Sequence, residues 1–199
     1  MMAFAVISHF VGNAKDDNGH FLFQERYTIE RQGDQIISIE TLFEDATGRT
    51  LATLASEFSD YRHFPHLSYV LRSKRFTLKQ KKSTTRKSAV AGHGIYVYLL
   101  DHLNDLIEGK KPTIYLTSPD DRQEYAFVIH GKMDPERDGV VIATVELKNA
   151  LLRSFLHPME FHIESSTGNL LSYHGIDGYA KVVSKKQRIH IEYTHPTVD

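Results

Sequence analysis

Cysteine is absent from this chain of 199 residues. That absence excludes disulfides, thiolate metal sites, a cysteine nucleophile and an acylated lipoprotein cysteine, and it leaves the redox compartment open. Glycine and proline are sparse, at 12 and 6 residues, so collagen-like and low-complexity readings fall away. Excess charge is missing as well, because 24 Lys and Arg stand against 25 Asp and Glu and the pI is near 6.9. A dedicated nucleic-acid binder usually has a domain pI above about 9, so no specific nucleic-acid partner is expected. No apolar run approaches the about 20 residues that a membrane-spanning helix requires.

What is present is ordinary globular usage, 41% hydrophobic and 25% charged. A chain of this length buries roughly 70% of its unfolded surface in one domain without a staple. Residues 15–199 are therefore read as a single β-rich domain behind an apolar segment, 1–14. Small residues at Gly12 and Ala14 suit signal-peptidase cleavage after Ala14, whereas a basic start is lacking and Ser8 and His9 interrupt the apolar run. The segment reads either as a leader remnant or as a first strand. Cleavage implies a periplasmic or envelope location, and an intact segment implies the cytoplasm.

Period-two alternation dominates the rest. Phe23, Glu25, Tyr27 and Ile29 share one side of a strand ending at Gly33-Asp34, and Ile37, Ile39, Thr41 and Phe43 share one side of the next. Leu51, Leu54 and Phe58 follow in a third segment. Tyr125, Phe127 and Ile129, then Met159, Phe161 and Ile163, and finally Ile189, Ile191 and Tyr193 repeat the theme. Short turns between such segments mark antiparallel hairpins. One stretch breaks the period. Between Gly94 and Gly109, Tyr96, Leu99, Leu100, Leu103, Leu106 and Ile107 recur at three and four, which makes a helical stripe ending in a glycine cap and Pro112. A shorter helix or a bent strand fits Lys148 to Leu156.

The fold class expected is α+β, mostly β, with roughly nine or ten strands. A large curved antiparallel sheet, half-barrel or barrel-like, wraps around one central amphipathic helix, because a large twisted sheet must curl or be covered to bury its apolar face.

The strand with Glu25 and Tyr27, the turn Asp45 to Ala52, the central helix, the stretch Leu151 to Glu160 and the segment Tyr173-His174-Gly175-Ile176 together resemble a group of uncharacterised bacterial envelope proteins. That group is similar in strand order to the LolA/LolB-like superfold of periplasmic lipoprotein carriers, over about Phe21 to Pro196. The resemblance implies an acyl chain held between a half-barrel sheet and its helices, in the cell envelope, with no catalytic residues.

Eight basic residues without an acid among them, Arg72, Lys74, Arg75, Lys79, Lys81, Lys82, Arg86 and Lys87, form the sharpest charge feature. They suit an anionic membrane surface, or else a solvated hairpin. Twelve histidines raise the question of metal, but His63 and His66, His157 and His162, or His190 and His195 complete no tetrahedral spacing, so neither metal nor cofactor is expected. Ser8, Ser56, Ser68, Ser118 and Ser172 lie in no nucleophile elbow, and Asp16-Asp17 and Asp120-Asp121 read as turns.

The first functional expectation is thus a non-enzymatic envelope protein that binds a hydrophobic or amphipathic, lipid-like ligand. Phe23, Tyr27, Phe43, Tyr96, Leu99, Leu103, Tyr125, Phe127 and Phe161 would line the site. The alternative is a scaffold or partner-binding domain with a packed core, its protein partner unknown, and a hydrolase is the outsider.

Overall fold

In the computed structural model, residues 5–59, 63–71, 74–78, 88–117, 123–153, 157–176 and 188–196 are described. They form one sheet of thirteen strands. The chain enters at its centre with β1 (Ala5–Lys15) and meanders outward through β2 (Phe21–Gln32), β3 (Gln35–Glu44), β4 (Thr50–Glu57), β5 (His66–Leu71) and β6 (Lys74–Leu78). It restarts at the opposite edge with the short β7 (Ala89–Val90), makes two helices, and returns through β8 (Thr113–Thr117), β9 (Glu124–Met133), β10 (Val140–Leu147), β11 (Met159–Glu164), β12 (Leu170–Ile176) and β13 (Arg188–Thr194). β13 pairs antiparallel with β1, so the first and last strands close the seam between the two halves. Among the described strands only β7 with β8 is parallel, because the helices carry that crossover.

Thirteen strands exceed the nine or ten expected, since β5, β6, β7 and β8 carry short or weak alternation. The expected inward faces are present. Phe23, Ile29, Ile39, Thr41, Phe43, Phe127 and Ile129 are all buried, and the strands turn polar residues outward. Residues of the apolar N-terminal segment from Ala5 onward belong to β1, with Phe10 and Ala14 buried.

Full closure into a barrel does not occur among the described residues, as β6 and β7 remain the two edges of the hydrogen-bonded order. The sheet nevertheless curls far round. Leu78 of β6 packs against a small cluster of Phe64, Ala89 and Ala91, which brings side chains of the two edges together without a ladder between them. Bulges in the β1–β2, β2–β3, β3–β4 and β11–β12 pairings supply local bends for that curl.

The expected single helix is two, α1 (Gly94–Asp101) and α2 (Leu103–Ile107), broken at His102, where φ is −113° and ψ is 14°. Leu99 and Leu106 are fully buried and Tyr96 and Leu103 nearly so, as the stripe requires, but Ile107 at its far end faces solvent. α2 packs on β9 and β10. A third helix, α3 (Ala150–Arg153), is a single turn whose Leu151 is 81% exposed, and the Leu152 side chain and residues 154–156 lie outside the described residues.

Two apolar cores result. The larger joins α1 and α2 to β8 through β11, and the smaller lies among β1 to β5 and β13 around Phe23, Phe43, Leu54, Leu67 and Tyr69. Tyr173 and Tyr193 pack against both.

Candidate ligand-binding cavity

A partly enclosed apolar cavity of about 130 Å³ lies where the two cores meet. Residues from both halves of the sheet and from the start of α1 wall it. β1 gives Phe10; β2 gives Glu25 and Tyr27; β3 and β4 give Phe43 and Leu54; and the α1 end gives Gly92, His93, Ile95 and Tyr96. The returning half contributes Leu116, Met159, Phe161, Leu170, Tyr173, Ile176, Ile189, Ile191 and Tyr193.

The chemistry of this wall follows from register. Gly12 lies directly opposite both Tyr193 of β13 and Glu25 of β2, which puts these three residues in one row across the seam. A Cβ at Gly12 would sit 2.5 Å from the Tyr193 ring and 2.7 Å from Ile191, so only glycine leaves room for the tyrosine to lie over β1. Thus placed, the Tyr193 hydroxyl donates to Glu25 Oε2 at 3.0 Å, and the Tyr27 hydroxyl donates to the same oxygen at 3.1 Å. A buried carboxylate is costly unless hydrogen-bonded, and two phenols meet that requirement here. Burial, and after it the neighbouring Glu25 charge, raise both phenols well above their ordinary value, so both remain protonated donors.

Aromatic rings extend the wall. Phe10 stacks on Tyr27 with centroids 4.5 Å apart and planes 7° from parallel, and Tyr193 meets each of them edge-on. Phe161 lies against Tyr173 at 5.0 Å. The Tyr96 hydroxyl donates to the Gly168 carbonyl at 2.7 Å, and burial pushes that phenol up to about 12.

His93 fixes the helix end. Its Nε2 lies 2.8 Å from Thr41 Oγ1 and its Nδ1 2.9 Å from Ser56 Oγ, so the imidazole ties the start of α1 to β3 and β4. Burial lowers its pKa to about 3, and the ring is neutral at ordinary pH. Although Ser56 and His93 are within nucleophile-to-base distance, Ser56 is fully buried and outside the cavity wall, and a threonine rather than a carboxylate holds the second imidazole nitrogen.

Of the residues expected to line a site, Tyr27, Phe43, Tyr96 and Phe161 do line this cavity. Phe23 is fully buried in the smaller core, while Leu99, Leu103 and Phe127 pack in the larger one, with Tyr125 against it, away from the cavity wall. Within the basic run, Lys74 and Arg75 begin β6 and Arg75 is exposed; Arg72, Lys79, Lys81, Lys82, Arg86 and Lys87 lie outside the described residues. Among the paired histidines, His63 Nε2 lies 2.7 Å from Asp101, His66 Nδ1 lies 3.5 Å from Glu57, and His195 Nε2 lies 2.7 Å from the Leu170 carbonyl. Asp16 closes the β1–β2 turn by accepting from the Asn18 and His20 backbone, and Asp120-Asp121 lies outside the described residues.

Glu25 was visible on the apolar side of its strand in the sequence, yet its partners Tyr193 and Gly12 come from the far ends of the chain. The signal for it was a lone acid in an inward position.

No family model matches the sequence, and no curated protein matches it. Solved structures do match. A beta-barrel-like protein of the domain of unknown function DUF1849 from Brucella abortus aligns at a TM-score of 0.46 with 10% identity, over 96% of this chain and 99% of that one. A LolA superfamily protein from Nitrosomonas europaea aligns at 0.30 with 12% identity, over 96% and 84%. A putative outer membrane lipoprotein-sorting protein domain from Vibrio parahaemolyticus aligns at 0.33 with 11% identity, over 98% and 86%.

Proposed function

We propose that the protein binds the apolar part of an amphipathic molecule in the cavity between the curled sheet and α1. The observation that carries this reading is an apolar hollow whose one ionisable acid, Glu25, is held by Tyr27 and Tyr193. Its volume of about 130 Å³ sets the size of what enters. A cavity of about 150 Å³ takes up benzene, whereas pockets for drug-sized ligands run from about 300 Å³ upward. The group accommodated is therefore a ring or a short alkyl end, with the remainder of the molecule outside. Beside Glu25 the complementary polar group is a hydroxyl or an ammonium, since a carboxylate repels an anion and accepts from a donor.

The test is titration with an environment-sensitive apolar fluorophore. Emission should rise on binding to the natural chain and fail to rise with Ile176→Trp, which places an indole at the half-buried rim. Equal emission from both proteins contradicts the reading.

The basic run goes with an anionic membrane surface in the same proposal, and an envelope location is proposed on the sequence resemblance alone, because cleavage after Ala14 would remove β1. Charge reversal at Lys79, Lys81 and Lys82 should abolish co-sedimentation with vesicles containing phosphatidylserine, and cell fractionation reads the location.

One observation favours the scaffold alternative. Phe23, Leu99, Leu103 and Phe127, four of the nine expected lining residues, are packed into the cores, which leaves a small cavity. Persistent absence of fluorophore binding together with capture of a specific partner on the edge strand β6 supports that alternative.

A further inference from the structure

The outer face of the returning half carries a second constellation, independent of the cavity. His174 of β12 and His190 of β13 lie directly opposite one another in the ladder, with ring centroids 4.0 Å apart. Glu192 follows His190 by two positions and so points to the same face, where its Oε1 lies 2.6 Å from His190 Nε2. One ligand atom from each of these three residues falls within 4.8 Å of the others.

We propose that His174, His190 and Glu192 bind a divalent transition-metal ion of the zinc class on the outer face of the β12–β13 hairpin. Two imidazoles and a carboxylate are a common zinc donor set, which leaves a fourth position for water. With metal–ligand bonds of about 2.0–2.2 Å, ligand atoms in a tetrahedral site stand about 3.3–3.6 Å apart. The His190–Glu192 spacing of 2.6 Å lies below that value and all three ligand atoms lie within 4.8 Å of one another, so side-chain rotations on fixed strands bring them to it. Holding both histidines on adjacent strands removes most of the ordering cost that a loop site would carry.

Both signs of charge border the site: Glu160 lies opposite His174 on the β11 side and Lys15 opposite His190 on the β1 side, while Asp16, Asp17 and Arg188 line a hollow with both histidines. His162 stacks on His174 at 5.2 Å, and its buried Nε2 has no hydrogen-bond partner among the described residues. Arg137 and Asp134 hold its Nδ1 side. His162 thus stands beside the site as an outer support packed on His174.

The full chain, stripped with a chelator and titrated with zinc chloride by calorimetry, should show one micromolar or tighter site and a rise in Tm. His174→Ala and His190→Ala should each weaken that site by about tenfold or more, as loss of a first ligand does at least what loss of an outer support does. Glu192→Gln keeps shape and hydrogen bonding while removing the charge, so it should weaken binding even where an alanine variant fails to fold. His157→Ala, an exposed histidine outside the cluster, should leave it unchanged. Absence of a micromolar site in the natural chain overturns the proposal, and so does a site that survives unchanged in Glu192→Gln and in either folded histidine variant.

Discussion

The Tyr193 hydroxyl reaches across β1 and donates to the Glu25 carboxylate at 3.0 Å, although the two residues lie 168 positions apart. This bond crosses the seam where the chain's first and last strands meet. It is both a structural tie and the polar element of the cavity. Tyr193→Phe leaves the ring packing in place and removes one donor from a buried carboxylate, which costs about 1–3 kcal/mol. Urea unfolding should show that loss as a lower midpoint with an unchanged slope. Because Tyr27→Phe acts on the same oxygen, the double variant should depart from the sum of the two single losses.

Gly12→Ala tests the close approach that makes this bond possible. Its methyl would fall 2.5 Å from the Tyr193 ring in the middle of a central strand, so the tyrosine must move. Overpacking of this kind costs about 1–3 kcal/mol. Adding Tyr193→Leu should recover part of the loss, and a double variant no better than Gly12→Ala alone contradicts the steric account.

His93 makes stability depend on pH in a defined window. The unfolded imidazole takes up a proton at its ordinary value of 6.5, and the folded one only near 3. Between those values the unfolded state holds the additional proton, so stability falls as pH drops from 6.5 toward 3 and is unaffected by this group above the window. The slope from this one group reaches at most about 1.4 kcal/mol per pH unit. Denaturant titrations at several pH values should show natural and His93→Gln chains diverging in slope below the upper limit of the window. Parallel curves across it contradict the assignment.

Much of this fold was legible because burial on one face writes a period of two into a strand. The inward sets on β2, β3, β9, β11 and β13 are those the alternation marks, and the helical stripe marks α1 and α2. The break at His102 was not legible, since apolar spacing of three and four continues through it and the interruption lies in the backbone. The cavity was half legible. Tyr27 and Phe43 follow from strand phase, but whether an inward residue meets a hollow or a packed neighbour depends on how two half-sheets curl together. Leu99 and Phe127 share the apolar pattern of Tyr96 and Phe161 and end in solid core. Pairing of β1 with β13 has no local signature, and it adds Tyr193 to the row that β1 and β2 make with Gly12 and Glu25. Likewise His190 and Glu192 are visible as outward neighbours on one strand, whereas His174 joins them only through the register of β12 with β13.

β1 lies beside the central strand β13 in the order of thirteen, paired on both sides, with Phe10 and Ala14 in the core. A chain begun after Ala14 loses that strand and exposes the inner edges of β2 and β13. It should therefore show collapsed far-ultraviolet circular dichroism and accumulate as insoluble protein, while the chain from Met1 is soluble. A truncated protein with a cooperative melt contradicts this placement of β1.

The most direct measurement of the central claim is native mass spectrometry of protein purified without detergent. The account predicts a species heavier than the polypeptide, whose added mass is released on denaturation and extracts into organic solvent. A bare polypeptide mass in repeated preparations, unchanged after incubation with medium-chain alcohols and amines, contradicts it.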